Sequence, residues 1–153
     1  MRNFIAAQAS RLLEALYAVQ WLGPLLVRLV FGYFWLETGI AKLHNLDGFT
    51  QRFMGWGIPF PAFSAGLSAW TEMLGGLFLM LGLFTRLTCI PMIINMLVAI
   101  VLVVSHNLSS LDDYVEADEV TYTLIFAWLL IAGPGKASVD TLIARALGIR
   151  TKP

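Results

Sequence analysis

Three ionisable residues lie in stretches of the sequence that are otherwise almost entirely apolar. Arg28 and Glu37 interrupt one long apolar run, and Glu72 lies in the middle of the next. A charged side chain at the centre of a membrane costs about 2.5–3.5 kcal/mol on insertion scales, so it persists where it pairs with another group or lines a polar cavity. These residues are therefore the first candidates for ligand binding or proton handling.

Helical spacing decides which of these charges can meet. Each residue of an α-helix advances by about 100°, so Arg28 and Lys42 project from nearly the same face and Glu37 from the opposite one. Arg28 and Glu37 cannot pair within one helix. Counting from the ends of the apolar runs places Arg28 and Glu72 at levels that differ by ~7.5 Å. We predict a buried Arg28–Glu72 pair, which either locks two helices together or serves binding or proton transfer.

Other polar residues can complete a polar interior around this pair. Asn95 lies in the third apolar run and Tyr122 in the fourth, whereas Glu37 and Lys42 lie nearer the outer mouth. A glutamate in an apolar site can be protonated, which would let it relay protons. The candidate ligand-binding or proton-handling residues are Arg28, Glu37, Lys42, Glu72, Asn95 and Tyr122.

His44 and His106 raise the separate question of a metal site. Both fall on the side of the chain that also collects most of the carboxylates outside the apolar runs, and imidazole and carboxylate groups are common metal ligands. The histidines show no HxxxH or HxH spacing. The alternative interpretation is that both histidines are polar loop residues. A haem held between them is equally unsupported by the spacing of the two residues.

Four apolar blocks must position these residues. The chain has 153 residues, of which 58% are hydrophobic and 13% charged, against about 45–50% and about 25% in soluble domains. A membrane span needs about 20 apolar residues, and the last block reaches that length only if it extends back over 114–119. We therefore predict an all-α fold, an integral membrane four-helix bundle, with spans at 21–40, 60–84, 87–105 and 120–132.

A short amphipathic helix precedes the predicted bundle. Residues 3–20 place apolar side chains at helical spacing, so the segment can lie on the membrane surface; a frayed amphipathic tail is the alternative. The N-terminus lacks a clean signal-peptide cleavage pattern, so the first apolar block is expected to stay in the protein. We divide the chain into an amphipathic segment at 1–20, a four-span membrane domain at 21–143 and a cytoplasmic tail at 144–153.

Basic residues are distributed unevenly between the two sides that four spans would create. One side holds both termini and the loop near Arg86, and the opposite side holds only Lys42 and Arg52 among the basic residues. The positive-inside rule then places both termini in the cytoplasm, and we expect a multi-pass protein of the inner (plasma) membrane. The basic residues on the cytoplasmic side are Arg2, Arg11, Arg86, Lys136, Arg145, Arg150 and Lys152.

Composition also excludes several function classes. The formal net charge is +0, so no basic surface indicates a nucleic-acid partner. Cys89 is the only cysteine, which excludes an internal disulfide, a CxxC redox pair and a cysteine-ligated iron–sulfur cluster from this chain alone. No motif indicates a cofactor held within the chain.

An ordered set of short strings resembles the DoxX family of small four-helix membrane proteins. The resemblance covers roughly residues 25–143 and implies that Arg28, Lys42 and Glu72 match an arginine, a lysine and a glutamate of the family. Glu37 departs from the family pattern and is a local feature of this chain. The matching strings lie at 29–32, 39–43, 53–59, 72–76, 81–86, 95–100, 106 and 133–140.

The resemblance implies a function in redox metabolism, because DoxX-family proteins are described as membrane components of redox systems, some of them quinone-dependent. We predict a membrane subunit that binds a quinone or a similar apolar redox molecule between its helices and acts with a redox partner protein, as part of an oxidoreductase. Two alternatives stay open. One is a proton-coupled solute or metal transporter or channel, working as a homo-oligomer; the other is a membrane anchor or assembly factor without activity of its own.

Overall fold

The computed structural model describes residues 2–149, with the side chains of 5–106 and 108–149. Every regular element within these residues is helical, which confirms the all-α prediction. The π-helical turn Ile100–Val104 and the 3₁₀ turn Ser105–Asn107 continue α5 without a break in the chain direction. The α-helices are α1 Arg2–Val19, α2 Leu22–His44, α3 Leu46–Gly55, α4 Pro61–Leu81, α5 Thr85–Ala99, α6 Leu111–Glu116, α7 Asp118–Ala132 and α8 Val139–Ala146.

Helices α2, α4, α5 and α7 share one core. Trp35 from α2, Leu79 from α4, Met92 from α5, and Phe126 and Leu129 from α7 pack together, each at most 4% exposed. Four of the predicted apolar blocks thus become four helices that surround the same buried side chains. Two continuous helices, Leu22–His44 and Thr85–Val104, are long and apolar enough to cross a membrane.

Glycines let α2 and α4 pack against each other backbone to backbone. A Cβ added at Gly39 would lie 2.3 Å from the Met73 nitrogen, and one added at Gly76 would lie 2.3 Å from the Leu36 nitrogen. Further along the same antiparallel pair, a Cβ added at Gly32 would lie 2.9 Å from the Met80 nitrogen. Small residues allow this close approach between membrane helices, so the contacts set the register of α2 against α4.

The structure adds a helix that the sequence did not predict, α3, between the first two apolar blocks. Asn45 caps its N-terminus, because the Asn45 side chain accepts a hydrogen bond from the Gly48 N–H at 3.2 Å. Phe49 and Phe53 lie one helical turn apart and are buried beside Ala65 of α4. This short helix therefore covers the end of α4 that faces the α2–α3 turn.

The prediction that the fourth span extends back over 114–119 is wrong. Residues 114–116 belong to a separate helix, α6, whose N-terminus is closed by a capping box. The Ser110 side chain accepts a hydrogen bond from the Asp113 N–H, and the Asp113 carboxylate accepts one from the Ser110 N–H. Ala117 then adopts an extended backbone, φ −67° and ψ 124°, and α7 begins at Asp118. With 15 residues, α7 is ~22 Å long.

Candidate functional site

The structure places one buried ion pair at the junction of α2, α4 and α5. The Lys42 Nζ lies 2.6 Å from both carboxylate oxygens of Glu72. Asn95 Nδ2 donates to Glu72 Oε1 at 3.1 Å, and Ser68 Oγ donates to the same oxygen at 3.5 Å. The Glu72 side chain is 1% exposed and that of Lys42 is 23% exposed. Glu72 is thus enclosed by three donors, one of which still faces the surface.

The predicted Arg28–Glu72 pair is not formed, because α2 and α4 pack in a different register from the one assumed. The contact between Gly39 and Met73 puts Glu72 beside the end of α2 that carries Lys42. In this register Glu72 is level with residue 40, twelve residues from Arg28, which corresponds to ~18 Å along the helix axis. No arginine side chain spans that distance.

Arg28 instead holds the loop between α7 and α8. Its Nη1 donates to the Pro134 carbonyl and its Nη2 to the Ala137 carbonyl, both at 2.6 Å. The residue is 1% exposed, and a Cβ added at Gly82 would lie 2.2 Å from Nη1. Buried charged groups need hydrogen-bond partners, and here backbone carbonyls provide them. Arg28 therefore fastens three helix ends together and takes no part in the Glu72 site.

Aromatic rings surround the ammonium of Lys42. Its Nζ lies 4.9 Å from the ring centre of Phe49 and 6.0 Å from that of Trp35, within the range of cation–π attraction. Trp35 also packs edge to face against Tyr122, with ring centres 5.2 Å apart. The Trp35 Nε1 is buried and has no hydrogen-bond partner among the described residues. Buried donors are rarely left unpaired, so this N–H marks Trp35 as a candidate donor to a group outside the described residues.

Asn95 lies where the sequence predicted, on the polar interior, whereas Tyr122 and Glu37 do not. Tyr122 lies among the rings of Phe34 and Trp35 and makes none of the described hydrogen bonds to Glu72. Glu37 is exposed on the outer face of α2, as its angular position opposite Arg28 indicated. Neither residue contributes to the enclosure of the Glu72 carboxylate.

The structure does not build a metal site from His44 and His106. Within the described part of the chain, no three His, Cys, Asp or Glu side chains form a cluster that could hold a metal. His44 Nδ1 lies 2.9 Å from the Ile40 carbonyl one turn earlier in the same helix. Both histidines are exposed.

Sequence reasoning missed three residues of the site, Ser68, Phe49 and Trp35. Ser68 precedes Glu72 by four residues, so its hydroxyl shares the face of α4 on which the carboxylate lies. Trp35 precedes Lys42 by seven residues, or about two turns of α2. These spacings were visible in the sequence, but only the register of α2 on α4 shows that the residues meet.

Comparison with known proteins assigns the chain to a family. The DoxX family pattern matches residues 23–105. The chain is 30% identical over 130 residues, covering 78% of this chain and 80% of the relative, to "Uncharacterized membrane protein Rv3486" of Mycobacterium tuberculosis (strain ATCC 25618 / H37Rv). It is also 30% identical over 82 residues, covering 54% of this chain and 60% of the relative, to "Putative oxidoreductase CatD" of Bacillus subtilis (strain 168). No solved structure matches.

The matched region contains the whole hydrogen-bonded centre. Lys42, Ser68, Glu72 and Asn95 all lie within residues 23–105, as does Arg28. The family match covers more than half of the chain, and the more extensive relative covers most of it. Two continuous helices are long and apolar enough to cross a bilayer. The chain is therefore a membrane protein and belongs to the DoxX family.

Proposed function

We propose that the protein is a multi-pass membrane subunit of a redox system and that it binds a quinone-class molecule beside the Lys42–Glu72 pair. The observation that carries the proposal is the unpartnered Trp35 N–H, which is buried next to a hydrogen-bonded ammonium and carboxylate. The name of one relative, CatD, describes an oxidoreductase, and we extend that class of activity to this chain.

The proposal places α2, α4, the continuous helix from α5 and α7 across the bilayer. Large apolar side chains on the outward faces support it: Val30 is 62% exposed, Phe63 70%, Leu87 64% and Ile131 77%. Surfaces of this kind are stable against lipid but not against water. The uneven distribution of basic residues supports an orientation with both termini in the cytoplasm of a cell with an inner membrane.

The residues present fit the polar end of a quinone. A quinone offers two carbonyl oxygens, which accept hydrogen bonds, on a flat apolar ring. Trp35 Nε1 and the partly exposed Lys42 Nζ are both donors, and Phe34 and Tyr122 lie against Trp35, with ring centres 5.2 Å from it in each case. Ligand sites typically combine apolar walls with a few placed polar groups.

The buried pair would handle protons at this site. A bound quinone supplies the capacity to accept electrons and protons, and in this proposal a partner protein provides the electrons. Lys42 Nζ is 2.6 Å from both Glu72 oxygens, so a proton can pass between ammonium and carboxylate with little movement of either group. Asn95 and Ser68 hold the carboxylate in place from the sides that face α5 and α4.

Binding of a short-chain ubiquinone or menadione analogue to the purified protein tests the proposal. Trp35→Phe removes the N–H together with the smaller ring of the indole, so we expect binding to weaken by at least the fivefold to tenfold that corresponds to about 1 kcal/mol for one neutral hydrogen bond. The same variant should also lose some stability, because Trp35 is a buried core residue and the smaller ring leaves a cavity; binding is therefore compared at a temperature at which both proteins are folded. Trp128→Phe, on an exposed site of α7, is the matched control.

Two results would contradict the quinone assignment. Trp35→Phe and Trp128→Phe could bind the analogue as tightly as the parent, or the protein purified from its membrane could carry no extractable quinone while the analogue fails to bind. The first result would remove the Trp35 N–H from the binding site. The second would leave the buried pair as a structural element and would favour the anchor or assembly-factor alternative. The transporter alternative is weakened by Glu37, which lies on the outer surface of α2 and not inside the chain.

A further inference from the structure

A cavity of about 740 Å³ opens at the end of the molecule opposite the Lys42–Glu72 pair. The α4–α5 turn, the end of α7 and the start of α8 form its walls. Three cationic side chains line it, Arg86, Lys136 and Arg145, together with apolar groups that include Phe84 and Leu87. All three cationic residues are exposed, so their charges are accessible from this end of the protein.

The cavity has an excess of positive charge. Within the described residues, none of Arg86, Lys136 and Arg145 forms an ion pair. Asp140 also lines the cavity, but its two carboxylate oxygens accept hydrogen bonds from the Phe84 N–H at 2.7 Å and the Thr85 N–H at 2.9 Å. Asp140 keeps its negative charge while it caps α5, so three cations against one carboxylate leave the cavity with an excess of two positive charges, which attract an anion.

An apolar groove continues from this cavity along the outer surface between α4 and α5. It has a volume of about 400 Å³ and is lined mainly by apolar side chains, among them Trp70, Leu74 and Phe78. Phe84 and Leu87 line both the groove and the cavity. A charged pocket thus passes directly into an apolar channel on the lipid-facing side of the protein.

We propose that the cavity and the groove together bind an anionic phospholipid. The phosphate lies among Arg86, Lys136 and Arg145, and one acyl chain lies in the groove between α4 and α5. Basic pockets between membrane helices are suited to acidic head groups, and the apolar groove favours a lipid over free phosphate. The site is independent of the quinone proposal, since it lies at the other end of the protein and shares none of its residues.

Native mass spectrometry and thermal stability in mixed micelles test this assignment. We expect phosphatidylglycerol, but not phosphatidylcholine, to remain bound to the parent protein and to raise its melting temperature. The double variant Lys136→Gln/Arg145→Gln should weaken retention about thirty-fold, at about fivefold for each cation near the membrane surface. The matched control, Arg11→Gln/Arg52→Gln, removes the same charge away from the cavity and should retain the lipid.

The groove and the source of the phosphate are tested separately. Leu87→Trp inserts a larger ring where groove and cavity meet and should lower retention of phosphatidylglycerol several-fold. Soluble glycerol phosphate should stabilise the protein far less than the lipid. Equal retention in the two double variants, equal stabilisation by phosphatidylcholine, or equal stabilisation by glycerol phosphate would each overturn the proposal.

Discussion

Replacing Lys42 by methionine should destabilise the protein, because it leaves a buried carboxylate without its cation. Glu72 is 1% exposed, and Lys42 provides the closest of its contacts, at 2.6 Å to each oxygen. Removing one partner of a buried ion pair typically costs about 3–5 kcal/mol. Asn95 and Ser68 continue to donate to Glu72, so we expect the lower end of this range, about 3 kcal/mol.

The double variant Lys42→Met/Glu72→Gln should be more stable than Lys42→Met alone. A glutamine side chain can keep the hydrogen bonds to Asn95 and Ser68 without carrying a charge. We expect the double variant to lose about 1 kcal/mol, the contribution of a neutral hydrogen bond. The double variant should therefore be about 2 kcal/mol more stable than Lys42→Met alone, which is the difference between the two expected costs.

Thermal unfolding in detergent measures these differences. For a chain of this size, about 3 kcal/mol corresponds to a fall of ~6–12 °C in melting temperature. Arg11→Met is the control, because Arg11 is exposed on α1 and such substitutions stay within about 0.5 kcal/mol. If Lys42→Met and the double variant melt at the same temperature, Lys42 does not stabilise the Glu72 charge, and the assignment of this pair is refuted.

Three further predictions follow from local geometry. Gly76→Ala should lower the melting temperature, at a cost of about 1–3 kcal/mol, since its Cβ would lie 2.3 Å from a backbone nitrogen of α2, whereas Gly23→Ala, with no atom within 4 Å, should not. Arg28→Met should destabilise by at least about 2 kcal/mol, because two carbonyls lose their donor, but should leave the quinone affinity of the folded protein unchanged. Hydrogen bonds from Ser109 and Ser110 lower the pKa of Asp113 to about 2. The contribution of Asp113 to the stability of α6 is therefore complete above the ordinary pKa of 3.8 and disappears as pH falls through about 2. Carboxyl NMR titration measures this change, and Asp113→Asn should remove this contribution.

Local spacing was sufficient to predict the four long apolar helices and the directions of the charged side chains on α2. The four apolar blocks correspond to α2, α4, the continuous helix from α5 and α7. Arg28 and Lys42 face α4, and Glu37 faces outward, as about 100° per residue requires. These features depend only on the spacing of residues within one helix, and the sequence alone gives that spacing.

The register between helices could not be predicted in the same way. The prediction assumed that Trp21 and Phe84 lie at the same height along the helix axes. The glycine contacts instead place Phe84 at the height of Arg28. That shift of seven residues amounts to ~10 Å. Apolar side chains can slide past each other at little cost, whereas the close approach at Gly39 and Gly76 fixes one register. The predicted partner of Glu72 was therefore wrong, although each residue had been placed on the correct face of its helix.

Short helices were missed for a related reason. Isolated helices of fewer than about 12 residues are marginal in water, so α3, α6 and α8 depend on caps and on tertiary contacts. Asn45 and Ser138 cap α3 and α8, with each side chain accepting from a backbone N–H at 3.2 Å. Such caps are recognisable in a sequence, but they become informative only when the neighbouring surface that the helix covers is known.

Arg28 and Lys42 lie on one face of α2, but the groups that they contact give Arg28 a structural role and Lys42 the chemical role in the proposed function. Arg28 donates its hydrogen bonds to two backbone carbonyl groups, which cannot exchange a proton with it, and it fastens the loop after α7. Lys42 pairs with the Glu72 carboxylate, which can exchange a proton with it. Lys42 also lies beside the Trp35 N–H, which lacks a partner within the described chain. Since both cations belong to one rigid helix, the contacts that fix Arg28 also fix the depth of Lys42. A variant that loosens the α7–α8 loop should therefore disturb the Lys42–Glu72 pair only by shifting α2 as a whole.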